Sequence, residues 1–372
     1  MKPLSSILQK SFNGERITDE ECLALFRSND LLALGQAANA ARWRKIPEKV
    51  ATYIVDRNVN YTNVCVVDCQ FCAFYAKPKD AEKGYVLDRE TMRQKFAETA
   101  AHGGTQVLMQ GGHHPTLKLE WYEELLRWAK SEFPMLQMHC FSPPEIIHFT
   151  KMNRLSVRET LQRLMAAGLE SLPGGGAEIL SERVRKQIAP RKATSDEWIG
   201  VMREAHKLGM KTSATMMFGH VEQYEDRVEH LRRIRGLQDE TGGFIAFIPW
   251  TFQAENTPGM QDVPMVGGHE YLKTLAISRL YLDNFRNIQA SWVTQGKQMC
   301  QIGLMFGGND VGSTMLEENV VSAAGCSHDV HESDLLDMIR DIGLEPRQRN
   351  FYYEILDPPP MKNPEFFRSQ AQ

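Results

Sequence analysis

The sequence predicts an α/β fold, a TIM-type (β/α)8 barrel that is closed or partly open. From about residue 50 onward, short runs rich in β-branched and other apolar residues alternate with amphipathic helical segments. Alternation of this kind produces a parallel sheet, and eight strand candidates are enough to close a barrel. A doubly wound open sheet is compatible with the same alternation.

The strand candidates are short apolar segments, and most of them end at glycine or at a polar residue. They span residues 52–61, 105–110, 136–141, 169–172, 210–218, 243–250, 288–293 and 301–306. Local signals mark the helices between them. Ser156 and Thr194 are each followed three residues later by glutamate, which is the pattern of a capping box at a helix start. Each unit of the barrel is therefore bounded by residues that begin or end a helix.

Length and composition limit the class of protein. The 372 residues are expected to form an N-terminal helical extension (1–48), a barrel (49–330) and a C-terminal extension (331–372). The net charge is −4 without a basic block, which argues against nucleic-acid binding. No apolar run is long enough to span a membrane, and the N-terminus lacks the apolar region of a signal peptide. Seven cysteines, an odd number, argue against a disulfide framework and favour the reducing cytoplasm.

The most informative motif is C-x3-C-x2-C, formed by Cys65, Cys69 and Cys72 with no fourth cysteine nearby. A structural zinc site or a closed iron–sulfur cluster takes four protein ligands. Three thiolates at this spacing can hold three irons of a cubane and leave the fourth iron open. Buried cysteines on a helix, or zinc, are the alternatives, but Asp68 and the β-branched neighbours disfavour a helix here. The motif therefore predicts a [4Fe–4S] cluster with one open iron.

Glycine-rich and polar segments follow the ends of the strand candidates. The carboxyl ends of barrel strands share one rim, where active sites are found. These segments are the cysteine loop and residues 111–115, 142–145, 174–178, 219–220, 251–253, 295–296 and 307–310. The sequence therefore predicts one site built by eight loops.

Some polar residues on this rim have two interpretations. His113, His114 and His220 fit a second metal site, or single histidines that hydrogen-bond within turns. Asp310 fits a proton acceptor or hydroxyl binder, or else a helix cap or Asx turn.

The aromatic residues near the strand ends also have two interpretations. Trp250, Phe252 and Trp292 fit an apolar substrate cleft, or they fill the top of the barrel. Both arrangements bury large apolar surfaces, so the residue types do not separate them.

Seven longer runs carry a resemblance to a known family. They lie within about residues 50–325 and read NYTNVCVVDCQFCAFY, GGTQVLMQGGHHP, HCFSPPEI, LPGGGAEIL, TSATMMFGHVE, FIPWTFQ and MFGGNDVGSTMLEENV. The chain resembles the radical S-adenosylmethionine (radical SAM) enzymes, and most closely the cyclic dehypoxanthine futalosine synthases of the futalosine route to menaquinone. Aminofutalosine synthase and the radical SAM parts of deazaflavin (FO) synthase share the cysteine pattern and are alternatives. A zinc- or cluster-stabilised barrel that binds without catalysis is an alternative of another class.

The resemblance implies a reaction and its cofactors. S-adenosylmethionine would bind the open iron of the [4Fe–4S] cluster, and an external one-electron reductant such as flavodoxin or ferredoxin would prime it. A 5′-deoxyadenosyl radical would remove the C4′ hydrogen from the ribose of dehypoxanthine futalosine. The carbon radical would add to the benzoate ring of the same molecule, and loss of an electron and a proton would leave the spirocyclic product.

The resemblance also implies residues that bind the cofactor. Phe71 would lie near the adenine, and Gly111 and Gly112 near the methionine amino group, where glycine lets the backbone approach closely. Glu178 and Arg183 resemble a pair that contacts the ribose and carboxylate of S-adenosylmethionine. A simple turn and a surface ion pair are the respective alternatives.

Other positions are assigned less directly. Ser142, at the end of the third strand candidate, joins the cofactor-binding set by its place on the rim. Asp310, His220 and Tyr75 are the candidates for the catalytic base. Many members of the superfamily carry an acidic residue where this chain has His113, so the role of that side chain stays open.

Overall fold

The computed structural model describes residues 3–328, 330–363 and 366 of the chain. Within them the helices are α1 (Leu4–Phe12), α2 (Asp19–Phe26), α3 (Leu31–Lys45), α4 (Arg89–Ala101), α5 (Leu119–Glu132), α6 (Pro143–Asn153), α7 (Val157–Ala167), α8 (Glu182–Ile188), α9 (Ser195–Lys207), α10 (Tyr224–Thr241), α11 (Gly268–Tyr281), α12 (Gly296–Met305), α13 (Val320–Ala323) and α14 (Glu332–Asp341). The strands are β1 (Val50–Ile54), β2 (Asp56–Val59), β3 (Gln106–Met109), β4 (Gln137–Cys140), β5 (Ser171–Leu172), β6 (Lys211–Phe218), β7 (Phe244–Thr251), β8 (Asn287–Ile288), β9 (Asp310–Ser313) and β10 (Glu345–Gln348). In this part of the chain, every helix is too short or too polar to cross a bilayer.

The strands form a curled parallel barrel. The larger sheet has the order β2-β3-β4-β5-β6-β7-β8, without the reversal of a doubly wound sheet. β1 leads into β2 with a break at Val55, and it pairs with β9 on one side and β10 on the other. A bridge between Gln289 and Asp310 connects the β8 end of the larger sheet to β9. The predicted fold class is confirmed, and the thin contact beside β8 is where the barrel is least tightly closed.

The predicted capping boxes are present and begin the helices that the sequence assigned to them. Ser156 accepts a hydrogen bond from the Glu159 N–H, and the Glu159 carboxylate accepts one from the Ser156 N–H. Thr194 and Glu197 form the same reciprocal pair at the start of α9. These local interactions satisfy backbone N–H groups that have no partner inside the helix.

The strand predicted at residues 301–306 is wrong. Most of this segment lies in α12, and the eighth barrel strand is β9, which begins at Asp310. A short apolar run fits a buried helix as well as a strand, and the true strand has only four residues. The turn 307–310 therefore enters the eighth strand, so it lies at the opposite end of the barrel from the loops that leave the strands.

The chain after α14 packs against the beginnings of the barrel strands. β10 pairs with β1, with Glu345 opposite Val50. Beyond it, the Phe351 N–H donates to Gln137 Oε1 at 3.2 Å, and the Phe351 ring lies 4.4 Å from that of His139. This segment forms the floor of the barrel. The division of the chain at residues 48 and 330 stays a prediction.

Candidate active site

The three cysteines of the motif lie on one loop after β2, and all three are free thiols. The Cys65 N–H donates to the Ala76 carbonyl at 3.0 Å, and the Ala76 N–H donates to the Asn63 carbonyl at 2.8 Å, which ties the two ends of the loop together. The Cys72 N–H donates to the Cys69 carbonyl at 3.2 Å. The segment contains no α-helix, so the alternative of buried cysteines on a helix is wrong.

The described residues contain no group of three or more His, Cys, Asp or Glu side chains placed to hold one metal ion. A single zinc ion needs its ligands to converge on a point about 2 Å away. The cysteines of an iron–sulfur cubane bind different irons, so their sulfurs stay apart. Three free thiols on one anchored loop therefore suit a cluster better than a single ion.

Cys69 is buried, and Cys65 and Cys72 are partly buried. Burial raises the pKa of Cys69 to about 12, although the nearby charge of Lys192 opposes this shift. Burial also raises the pKa of Cys72. Because thiolates and not thiols bind metal, loading this loop with iron must displace protons.

The two-glycine turn after β3 packs directly against the cysteine loop. A Cβ atom on Gly112 would lie 2.3 Å from the Val64 carbonyl oxygen and 3.0 Å from the Cβ of Cys65. A Cβ atom on Gly111 would lie 2.5 Å from the Tyr61 ring. Both positions therefore require glycine, because a side chain at Gly112 would push the cysteine loop away and one at Gly111 would displace the Tyr61 ring.

Ser142 supports this turn through a neighbouring carboxylate. Ser142 is the N-cap of α6, and both its N–H and its hydroxyl donate to Glu145 Oε2 at 2.7 Å. The other oxygen, Oε1, accepts from the Tyr61 hydroxyl at 2.7 Å and from the Gly111 N–H at 3.0 Å. Burial raises the pKa of Glu145, and these four hydrogen bonds oppose the rise. The Ser-x-x-Glu spacing was a signal by which sequence reasoning could have found Glu145.

Glu178 is buried beside Lys192, whose ammonium lies 2.6 Å from Glu178 Oε1. Burial alone would raise the pKa of Glu178, but the charge and hydrogen bond of Lys192 outweigh it and hold the pKa below its ordinary value. The same ammonium lies 5.1 Å from the centre of the Phe71 ring. It also interacts electrostatically with the Cys69 thiol. Sequence reasoning missed Lys192 because it belongs to no motif.

Arg185 holds the two segments of this pair together. Its guanidinium donates to the carbonyl of Ala177 at 2.7 Å and to that of Ala193 at 3.0 Å. Ala177 precedes Glu178 and Ala193 follows Lys192 in the chain, so the buried Arg185 fixes both ends of the ion pair. The position of Lys192 is thus decided by tertiary contacts.

Arg183 lies apart from Glu178. It pairs with Asp226, its Nε lying 3.3 Å from Asp226 Oδ1, and its side chain is 51% exposed. The interpretation of Glu178 and Arg183 as an ion pair with each other is wrong, since Glu178 pairs with Lys192. A role for both residues toward the cofactor stays a prediction.

The histidines of the rim are engaged in local contacts. His220 Nε2 lies 3.1 Å from the Met217 carbonyl oxygen, and its Nδ1 accepts the Val221 N–H at 2.8 Å. Burial lowers the pKa of His220. His113 stacks on His148 with 5.0 Å between ring centres. Among the described residues these histidines join no metal-binding group, so the second-metal alternative has no support.

Asp310 lies at the floor of the barrel, not on the rim. Its carboxylate accepts from Arg349 Nε at 2.6 Å and Nη2 at 2.9 Å, and from the Thr52 hydroxyl at 2.6 Å. The Gly312 N–H donates to Oδ1 at 2.8 Å, which is the contact of an Asx turn. The predicted position on the rim is wrong because α12 occupies the segment that was assigned to the eighth strand.

Tyr75 lies beside the cysteine loop. Burial, together with Asp68 and the three thiols, raises the pKa of its phenol. The phenol is therefore neutral near pH 7 and suited to donate a hydrogen bond.

A cavity of about 270 Å³ occupies the interior of the barrel. Trp250 and Trp292 line it, as the cleft interpretation predicted, whereas Phe252 is buried outside the lining. Gln110 also lines the cavity, and it stands two residues before Gly112, which contacts the cysteine loop. The cavity lining therefore ends one residue before the two-glycine turn that packs on the cysteine loop.

Two family models match the chain. Residues 59–234 match the radical SAM superfamily, and residues 241–362 match the CofH/MqnC C-terminal region. The chain is 48% identical to the cyclic dehypoxanthine futalosine synthase of Streptomyces coelicolor, over 95% of this chain and 89% of the relative. It is 47% identical to the enzyme of the same name from Halalkalibacterium halodurans, over 95% of both chains. A 5-amino-6-(D-ribitylamino)uracil–L-tyrosine 4-hydroxyphenyl transferase of Methanococcoides burtonii is 40% identical, over 93% of this chain and 98% of the relative.

Solved structures agree on the fold. Methylornithine synthase (PylB) is similar with a TM-score of 0.71 at 18% identity, covering 91% of this chain and 97% of that chain. The hydrogenase maturase HydG is similar with a TM-score of 0.74 at 14% identity, covering 99% and 80%. Radical SAM proteins use a [4Fe–4S] cluster and S-adenosylmethionine, and three free cysteines on one loop fit that requirement. The chain belongs to the cyclic dehypoxanthine futalosine synthase family within the radical SAM superfamily.

Proposed function

We propose that this chain is an enzyme that cyclises dehypoxanthine futalosine to cyclic dehypoxanthine futalosine in menaquinone biosynthesis. The observation that carries the proposal is a loop of three free cysteines packed on the turn that follows the cavity-lining Gln110, in a chain 48% identical to a synthase of that name. A barrel that only binds a ligand would not need an anchored loop of three free thiols.

Cys65, Cys69 and Cys72 would hold the cluster. S-adenosylmethionine bound there supplies a 5′-deoxyadenosyl radical once an external one-electron donor, such as flavodoxin or ferredoxin, has reduced the cluster. Gly111 and Gly112 let the turn pack closely on the cysteine loop, and their backbone would lie near the methionine amino group. These residues would hold the cofactor, and the barrel would orient the substrate toward it.

Glu178 is the residue we assign to the ribose hydroxyls of S-adenosylmethionine. Its carboxylate is kept ionised by Lys192, and ionised carboxylates accept strong hydrogen bonds from hydroxyls. Phe71, whose ring centre lies 5.1 Å from the same ammonium, would offer an aromatic face to the adenine. Arg183 would contact S-adenosylmethionine only if its side chain broke its ion pair with Asp226.

The cavity suits a substrate that combines an aromatic ring with a sugar. Trp250 and Trp292 offer flat apolar surfaces for the benzoate ring. Most of the exposed cavity surface is apolar, with polar side chains such as Gln106 and Ser213 among the lining. Walls of this kind hold the ring and the sugar together and exclude water, which favours addition within the same molecule over side reactions.

The three candidates for the catalytic base differ in their surroundings. Both ring nitrogens of His220 are engaged within its turn, and Arg349 neutralises Asp310. The raised pKa of Tyr75 disfavours proton acceptance. We therefore propose that His220 and Tyr75 position neighbouring groups and that Asp310 supports the barrel floor.

Anaerobic incubation of reconstituted protein with dehypoxanthine futalosine, S-adenosylmethionine and dithionite tests the proposal. The expected result is 5′-deoxyadenosine together with a product that lacks two hydrogens of the substrate, both read by mass spectrometry. A parallel incubation with 5-amino-6-(D-ribitylamino)uracil and tyrosine tests the second candidate, which the 40% identical relative favours. Product from this second incubation alone would overturn the proposal.

Colour and spectra separate an enzyme from a non-catalytic barrel. Reconstituted protein is expected to be brown, with a cluster spectrum that changes when S-adenosylmethionine is added. A colourless protein, or a cluster spectrum that S-adenosylmethionine leaves unchanged, would favour a structural metal site.

A further inference from the structure

His139, in β4, presents one edge of its ring to the cavity. Its Nδ1 lies 2.8 Å from the hydroxyl of Ser171, which belongs to the neighbouring strand β5 and lies outside the cavity lining. Its Nε2 makes no hydrogen bond within the described residues, yet it is not among the polar atoms that are sealed from solvent without a partner. Because His139 lines the cavity, the open side of Nε2 is the cavity. This nitrogen is therefore available to a bound ligand.

The Ser171 hydroxyl decides which ring nitrogen carries the proton. Ser171 is 0% exposed, and within the described part of the chain its hydroxyl has no hydrogen-bond partner besides His139 Nδ1. A buried hydroxyl with an unpaired proton is unfavourable, so the hydroxyl donates and Nδ1 accepts. Burial and the charge of Arg349 lower the pKa of His139 to about 3, so the ring is neutral near pH 7. A neutral ring that accepts at Nδ1 carries its proton on Nε2 and donates into the cavity.

The charges around this N–H favour an anionic acceptor from the ligand. Arg349 lines the cavity, whereas its partner Asp310 is fully buried and lies outside the lining. The cavity therefore meets the positive member of this ion pair. The carboxylates of Asp56 and Glu318 also line the cavity, but each of their oxygens already accepts a hydrogen bond from the protein. The acceptor for the His139 N–H is thus left for a ligand to supply.

We infer that His139 binds the carboxylate of the benzoate group of the substrate through its Nε2–H. This inference rests on the proposed function, which supplies the benzoate. His139 lies opposite Leu108 in the sheet, and the chain runs from Leu108 to the two-glycine turn beside the cysteine loop. A carboxylate held at His139 leaves the sugar between this residue and the turn, on the side where the cofactor would bind. His139 is therefore a binding residue that orients the substrate in the cavity.

The test measures substrate binding by anaerobic equilibrium dialysis of the reconstituted holoenzyme with S-adenosylmethionine and without reductant, so that the readout does not depend on turnover. The ligands are dehypoxanthine futalosine and an analogue with hydrogen in place of the carboxylate. His139→Phe removes the donor and keeps an aromatic ring beside Phe351, whose ring centre lies 4.4 Å from that of His139. His206→Phe is the matched control, because His206 also contacts hydroxyl groups and packs on a phenylalanine but lies outside the cavity lining.

The parent compound should bind His139→Phe about tenfold more weakly than wild type, a loss typical of one hydrogen bond to a charged group. The analogue without the carboxylate should bind both proteins equally. His206→Phe should retain the wild-type affinity for both ligands. A merely structural role of His139 would weaken both ligands by the same factor, so the difference between the two ligands isolates the hydrogen bond.

The other outcomes overturn the inference. Equal weakening of both ligands in His139→Phe, or no weakening of either, places the carboxylate elsewhere while the proposed function stands. An analogue without one sugar hydroxyl forms a second arm. If this analogue, and not the one without the carboxylate, binds wild type and His139→Phe equally, the N–H serves the sugar and the inference fails.

The proposed function has its own mark of failure in the same experiment. If wild type neither binds nor converts the parent compound, the proposed function fails and the inference with it. Should His139→Phe not fold, His139→Asn keeps an amide near Ser171 but has no atom in the place of Nε2. Equal affinity losses for both ligands in His139→Asn would overturn the inference in the same way.

Discussion

Replacing Lys192 by methionine isolates the buried ion pair beside the cysteine loop. The change removes the only charge that lies within 2.6 Å of Glu178 Oε1 among the described salt bridges. The side chains of Lys192 and Glu178 are 13% and 6% exposed, so water cannot replace the missing partner. Removing one partner of a buried pair costs about 3–5 kcal/mol, because the other charge is left uncompensated.

The expected shift in melting temperature follows from the size of the chain. An unfolding entropy of about 2.1 cal/mol/K per residue gives about 0.8 kcal/mol per degree for 372 residues. Lys192→Met should therefore lower the Tm of the metal-free protein by about 4–6 °C. The double variant Lys192→Met/Glu178→Gln should recover most of this loss, since it leaves no charge buried.

Calorimetry of the four proteins of this double-mutant cycle measures the coupling. Lys151→Met is the matched control, because Lys151 pairs with Glu197 at the surface with 66% of its side chain exposed. Such pairs contribute about 1 kcal/mol or less, so the control should lose about 1 °C at most. A loss below 1 °C in Lys192→Met, or a double variant no more stable than it, would refute the reasoning.

The pH dependence of the same cycle has a definite sign. The folded-state pKa of Glu178 is below its ordinary value of 4.5, because Lys192 outweighs the effect of burial. The stabilisation from the pair is therefore present above pH 4.5 and lost as the pH falls through the folded-state pKa. The Tm difference between wild type and Lys192→Met should shrink below pH 4.5, and a difference that grows on acidification contradicts this assignment.

Three further predictions concern the loop, the turn and the floor. Cys65→Ala should abolish 5′-deoxyadenosine formation under anaerobic conditions, and full turnover by this variant would reject the cluster assignment. Gly112→Ala should lower the iron content after reconstitution, because the new Cβ would lie 2.3 Å from the Val64 carbonyl oxygen and displace the cysteine loop. A normal iron content in this variant would show that the turn can move without disturbing the cluster site. Asp310→Asn should destabilise the chain by about 3–5 kcal/mol in denaturant titration, since it leaves Arg349 buried without its counter-charge. A stable Asp310→Asn variant that cleaves S-adenosylmethionine but makes no cyclic product would instead support a catalytic role for Asp310.

Local patterns in the sequence were sufficient for most of the fold. Periodicity and capping boxes depend on neighbours a few residues apart, so Ser156 and Thr194 could be assigned to helix starts directly. The cysteine spacing was sufficient to predict one loop of three thiols. The prediction of the eighth strand at residues 301–306 was wrong because it also relied on a local pattern. A six-residue apolar run does not indicate whether it belongs to a helix or forms a strand.

Local sequence patterns did not predict which charged residues form ion pairs with each other. Glu178 and Arg183 were assigned together because they resemble a cofactor-binding pair of the family, yet Arg183 turns outward to Asp226. Arg185 instead brings Lys192 to Glu178 across a turn that no motif marks.

The sequence alone determined the barrel class, the family and the cluster loop, because each depends on residue types at short, regular spacing. Only the tertiary structure decided that Lys192 neutralises Glu178 and that Arg349 from the C-terminal segment holds Asp310 at the floor. These contacts join strands and segments far apart in the chain, with Asp310 and Arg349 separated by 39 residues. Their geometry depends on how the whole barrel closes, and short-range spacing does not encode it.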